Sequence, residues 1–133
     1  MFGLRGKGGT RITSCVAKGK KYVNEAIARY VEWGDLCWKP SNKAIWIGAG
    51  RCVSQSQDIF EAFDFVATNF NEITWVQVKS DESDCSKARK LIDDLPMPKG
   101  TLRVVLMRVK GKPGTFKRWR KVYGDVWIAD GVV

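Results

Sequence analysis

A chain of 133 residues is long enough for one hydrophobic core and too short for two. Hydrophobic residues at 44% and aromatics at 11% exclude a disordered tail, and 23 Lys+Arg against 14 Asp+Glu leave a net charge of +9. That surplus favours a polyanionic partner, nucleic acid being the commonest, while the absence of histidine excludes Ser-His-Asp triads, Cys-His dyads and imidazole acid–base chemistry.

Residues 1–19 are rich in glycine and cations (Arg5, Lys7, Arg11, Lys18) and read as a flexible basic arm ahead of one domain over 20–133. From Lys20 to Trp33 the residues Val23, Ala26, Ile27, Tyr30 and Val31 recur at helical spacing, with Glu25, Arg29 and Glu32 opposite and Gly34 as the stop. Leu36 to Lys39 reads as a short strand before Pro40, and Ala44 to Gly48 as a second. A loop follows, then a strand over Phe60 to Ala67. Ile73 to Lys79 is the clearest strand, and the tight Asn69–Glu72 connection pairs it with its predecessor as a hairpin. Ser80 to Asp84 can cap a helix over Cys85 to Leu95, closed by Pro96 and Pro98. Leu102 to Val109 is a buried strand, Phe116 to Tyr123 a basic one, and Val126 to Ala129 the last. The order implies an α/β (α+β) fold: a mixed sheet with a helix packed on each side or end.

Cys15, Cys37, Cys52 and Cys85 are dispersed with no C-x-x-C pair, which argues against structural zinc. No signal peptide or long apolar run is read, so an intracellular protein with reduced thiols and no membrane contact is expected. Catalysis, if present, has to run on carboxylates, lysines and a hard metal ion.

One stretch concentrates those groups. Asp64 interrupts the apolar FDFVA, and Gln77 and Lys79 interrupt WVQVK; on a strand, Gln77 and Lys79 share a face while Val78 points the other way. If the hairpin forms, Asp64 meets them at one sheet edge, where oxygen ligands suit a hard divalent cation and a lysine can assist an attacking water. Spacing alone also admits an ordinary solvated strand face. Asp58 and Glu61 are further carboxylates near Asp64, with Asp58 and Asp64 at even spacing on one strand face.

D-x₁₂-Q-x-K between a hairpin and a following helix resembles the PD-(D/E)XK nuclease superfamily, in the variant with glutamine at the acidic position. GRCVSQSQDIFEAFDFVA…ITWVQVKS is similar to small archaeal and phage Holliday-junction-resolvase-like members. The resemblance spans roughly residues 20–110 and departs from the pattern at Phe63, which stands where the family has proline. It implies a restriction-endonuclease-like sheet, Mg²⁺ or Mn²⁺ dependence, and hydrolysis of DNA phosphodiesters. By position, Asp64, Gln77 and the Val78 carbonyl would hold the metal, and Lys79 would be the catalytic lysine. Glu25 stands for the helix glutamate that relatives place near the metal, although its helical position also suits the surface. A junction-cleaving enzyme would further need two active sites, hence a homodimer.

Candidate DNA contacts are Arg51, Ser54 and Ser56 in the loop entering the Asp64 strand, and Lys112, Lys117, Arg118, Arg120 and Lys121 near the C-terminus. Trp119 among these cations is either a stacking ring or a core residue. A second reading stays open: a non-catalytic nucleic-acid-binding module on a degenerate nuclease fold, since Gln77 leaves the site one charge short.

Overall fold

Stretches rich in β-branched and aromatic residues form the strands of the computed structural model, which describes residues 19–40, 43–48, 51–55, 58–98, 101–121 and 126–133. They are β1 (Leu36–Trp38), β2 (Lys43–Gly48), β3 (Arg51–Gln55), β4 (Phe65–Thr68), β5 (Ile73–Lys79), β6 (Leu102–Arg108), β7 (Phe116–Lys121) and β8 (Trp127–Val132). Helix α1 covers 19–32 among the described residues and stops at Gly34, whose φ of +92° only glycine adopts freely. Helix α2 is Glu82–Asp93. The architecture is α+β: a mixed six-stranded sheet in the order β1-β4-β5-β6-β7-β8, with β2 and β3 as a separate antiparallel hairpin.

Every neighbouring pair in the large sheet is antiparallel except β5 and β6, which are parallel and joined by α2. This β5–α2–β6 crossover puts α2 on one face. Ala26 and Tyr30 of α1 pack on the other, against Phe65, Ala67, Val76, Val78, Val104, Leu106 and Phe116. On the α2 face, Cys85, Ala88 and Ile92 pack with Ala62, Phe63, Val105 and Trp119. The central strands are therefore buried on both sides, which is why β6 reads as the nearly unbroken apolar run LRVVLMR. Phe63, Phe65 and Phe116 are fully buried, and truncating any one to alanine should cost about 3–5 kcal/mol.

Several boundaries differ from the sequence-based expectation. The strand expected from Phe60 begins only at Phe65, because residues 59–63 fold into a tight turn. Helix α2 starts at Glu82 rather than Cys85, since the Asp81 carboxylate caps it by accepting the Asp84 N–H at 2.8 Å. The segment after Gly50 is strand β3 rather than loop, so Arg51 and Ser54 lie on a hairpin, while Ser56 is outside the described residues. Strand β8 runs on to Val132, its register accommodated by Gly131 at φ +79°. Residues 1–18 of the expected basic arm and Tyr123 of the expected basic strand lie outside the described residues. Among the described residues no helix is long and apolar enough to cross a membrane.

Candidate active site

The site begins with a strained turn. Ile59 and Phe63 exchange backbone hydrogen bonds (Ile59 N–H to Phe63 O, 2.7 Å; Phe63 N–H to Ile59 O, 3.0 Å). Closing so short a loop forces Phe60 and Glu61 to φ of +54° and +58°, a left-handed conformation costing a non-glycine residue about 1–3 kcal/mol. The antiparallel Ile59–Phe63 bridge sets Asp58 across from Asp64. The two carboxylates are thus brought together by a reversal of the chain, not by the shared strand face expected from their even spacing.

Asp64 is tied into the sheet at both ends. Its N–H donates to the Val76 carbonyl, and its Oδ2 accepts the Val78 N–H, each at 2.8 Å. The hairpin pairing expected from sequence forms, with Phe65 opposite Val76. Burial pushes the Asp64 carboxyl up to about 7; the Val78 N–H opposes this, Asp58 adds to it by repulsion, and Lys79 opposes it. The charged form is therefore held against its preference unless a cation compensates.

Gln77 and Lys79 share the α2 face of β5, while Val76 and Val78 enter the α1-side core. Gln77 is 4% exposed, yet its Oε1 has no hydrogen-bond partner among the described residues. Leaving a buried acceptor unsatisfied costs about 1–3 kcal/mol, so an orphan of this kind needs a physical account. The Val78 carbonyl lies on the same strand edge as its N–H, which faces Asp64. Lys79, the half-buried last residue of β5, is close enough to Asp64 to favour its charge. The oxygens of Asp64, Asp58 and Gln77 are hard ligands of the type that Mg²⁺ and Mn²⁺ take, and the orphaned Gln77 Oε1 fits a cation better than it fits a closed core. Among the described residues no three His, Cys, Asp or Glu side chains converge, so such a cation would depend on amide, backbone and substrate oxygens as well.

Glu25 does not join this group. It projects from α1 on the opposite face, where its Oε1 accepts the Gly114 N–H at 3.0 Å and lies 3.1 Å from Arg108 Nε. Arg108 NH2 donates to the other carboxylate oxygen at 3.3 Å. Glu25 thus clamps α1 to the β6–β7 turn, a structural task that its position opposite the apolar stripe did not reveal. Glu61 is exposed in the strained turn.

The C-terminal cations are largely spoken for. Arg118 and Arg120 both reach Asp130 of β8 at 2.8 Å, and Lys121, only 5% exposed, pairs with Asp93 of α2, which also accepts the Trp127 indole N–H at 2.9 Å. Of the five cations expected here to contact phosphate, Arg118, Arg120 and Lys121 are thus paired, while no carboxylate among the described residues pairs Lys112 or Lys117. Asp130 and Asp93 are not legible in the sequence, because the register of β8 against β7 and the packing of α2 beside it exist only once the sheet is assembled. Trp119 is a core residue, with the Arg89 guanidinium 4.7 Å and Lys117 Nζ 5.4 Å from its ring centroid. No family model matches the chain, and no curated protein or solved structure matches it either.

Proposed function

We propose that the protein is a divalent-metal-dependent endodeoxyribonuclease, with Asp64, Gln77 and Lys79 at its centre. The observation that carries this reading is the meeting of the Asp64 carboxylate with the Gln77–Val78–Lys79 segment, beside a buried and unpartnered Gln77 Oε1. Asp64, Gln77 Oε1 and the Val78 carbonyl would hold Mg²⁺ or Mn²⁺, with Asp58 in support. When bound, such a cation lowers the pKa of a water and offsets phosphate charge. The Val78 N–H holds the Asp64 carboxylate in one orientation, and the Phe63 and Phe65 rings on either side in sequence anchor it in both cores. Lys79 would supply a positive charge that stabilises negative charge developing on the phosphoryl oxygens and a hydrogen-bond donor that orients the attacking water. Lys112 and Lys117 add phosphate attraction that carries no sequence information. Cutting both strands of a branched DNA would require a second copy of the chain.

The test is cleavage of labelled single-stranded, duplex, flap and four-way-junction DNA with Mg²⁺ or Mn²⁺. Asp64→Ala should abolish cutting and leave DNA binding largely intact. The neutral Gln77 favours one alternative, a binding module without catalysis, and that reading takes over if no member of the panel is cut.

A further inference from the structure

Beside the candidate site, the sheet carries exposed aromatic rings that no helix among the described residues covers, next to Trp75, which is half-buried in the α2-side cluster. The ladder places Trp38 of β1, Val66 of β4 and Trp75 of β5 in one row across the strands. All three face away from α1, because their neighbours Cys37, Ala67 and Val76 pack toward it. Helix α2 lies over β5 and β6, leaving the β1 end of that face open, and Trp38 is 59% exposed. Phe60, 61% exposed, extends the row: its ring centroid is 5.8 Å from that of Trp75, tilted by 39°. Phe60 is held there by the left-handed turn that also brings Asp58 to Asp64.

The position of this surface decides what it fits. Trp75 precedes Gln77 by two residues on one strand face, a spacing of about 6.7 Å. The rings therefore begin one step from the oxygens proposed to act on a phosphodiester. We infer that Trp38 and Phe60, with the half-buried Trp75 packed against Phe60, form a stacking platform for an unpaired nucleobase of the strand whose phosphate lies at Asp64 and Lys79. This rests on the nuclease reading and names its substrate: DNA with unpaired bases at the cut, in preference to continuous duplex. A duplex keeps its bases stacked on one another and offers no free π-face, whereas a single strand offers one per nucleotide. The net charge of +9 complements the anionic backbone and gives an uncharged protein surface no comparable attraction.

The experiment measures binding of a fluorescent single-stranded oligodeoxynucleotide and of the matching duplex, in EDTA so that nothing is cut. The expected result is tighter binding of the single strand by the parent. Trp38→Leu and Phe60→Leu should each weaken it by at least about fivefold while leaving duplex binding unchanged. Both side chains are exposed, so melting temperatures should stay at the parent value. Phe70→Leu, altering an exposed ring on the distant β4–β5 turn, should bind as the parent does. Equal binding by all variants, or no preference for the single strand, overturns the platform. So does a loss of self-association in Trp38→Leu seen by sedimentation, which would assign the surface to a second copy of the chain. Cleavage in Mg²⁺ separates this from the nuclease reading. A parent that prefers single strands but cuts nothing refutes the nuclease alone, and one that cuts duplex and single strand equally refutes the platform alone.

Discussion

Replacing Asp64 by asparagine keeps the shape of the side chain and an oxygen for the Val78 N–H, and removes the charge. Burial raises the Asp64 carboxyl from an ordinary 3.8 to about 7, so the folded protein holds this proton more tightly than the unfolded chain does. The resulting stabilisation is fully present below pH 3.8 and is lost as the pH rises through about 7. The difference corresponds to roughly a thousandfold in proton affinity, an upper limit of about 4 kcal/mol at about 1.4 kcal/mol per tenfold. Residual solvent access and relaxation should reduce it to about 2–3 kcal/mol. Asparagine never acquires the charge. Chemical denaturation in EDTA at pH 8 should therefore find Asp64→Asn more stable than the parent by about that amount, and near pH 4 the two should converge.

Added Mg²⁺ closes the gap at pH 8 and, at roughly a thousand times its Kd, where binding is worth about 4.1 kcal/mol, reverses the ranking. A cation at a hundred times its Kd stabilises the parent by about 2.7 kcal/mol, and it should do little for the asparagine variant. A parent already the more stable at pH 8 in EDTA would refute the buried-charge argument. A parent indifferent to Mg²⁺ and Mn²⁺ would refute the metal assignment.

Lys79→Ala should slow single-turnover cleavage by about a hundredfold or more while changing DNA affinity little, because the amine acts on the reacting oxygens. Gln77→Glu should tighten Mg²⁺ binding in calorimetric titration and preserve or raise activity at low metal, and it should destabilise the metal-free protein by adding a buried carboxylate beside Asp64. Asp130→Asn unpairs Arg118 and Arg120, so the plot of log affinity for DNA against log salt should steepen by about one to two.

Much of the fold was legible because alternation and helical period report burial directly. The stripe through Ala26 and Tyr30 is the α1 face that meets the sheet, and the apolar run of β6 marks a strand covered on both sides. Asp64, Gln77 and Lys79 were legible for the same reason: each interrupts a segment that otherwise wants burial. Asp58 was singled out for the wrong geometry, because nothing in DIFEAF announces two consecutive left-handed residues; such turns usually use glycine or asparagine. RCVSQ alternates too weakly to declare a strand, so the β3 arm of the β2–β3 hairpin is not legible beyond Gly50. The pairing of Glu25 with Arg108 joins residues far apart in sequence, and that of Asp130 with Arg118 and Arg120 depends on the register of β8 against β7. Helical spacing can place Glu25 away from the apolar stripe, but only tertiary packing can say which cation it meets there.

The electrostatic layout follows from these pairings. A basic chain draws in a polyanion wherever its cations are free, but here Lys121 is paired with Asp93, Arg118 and Arg120 share the one charge of Asp130, and Asp58 and Asp64 stand together. A phosphate approaching the candidate site meets repulsion from two carboxylates and attraction from Lys79. Proton or cation binding changes that balance, and only the cation leaves both carboxylates charged. On the proposed reading, oxygen ligands that repel one another without a cation become favourable together around a divalent ion, and the phosphate then meets net positive charge. The C-terminal end of β5 is also where a parallel β–α–β unit opens its crevice, so the acidic pair lies where a ligand can enter. On the proposed reading the cation therefore fixes where the phosphate sits for cutting, while overall DNA affinity rests on cations elsewhere, which is why Asp64→Ala should remove cleavage and leave binding largely intact.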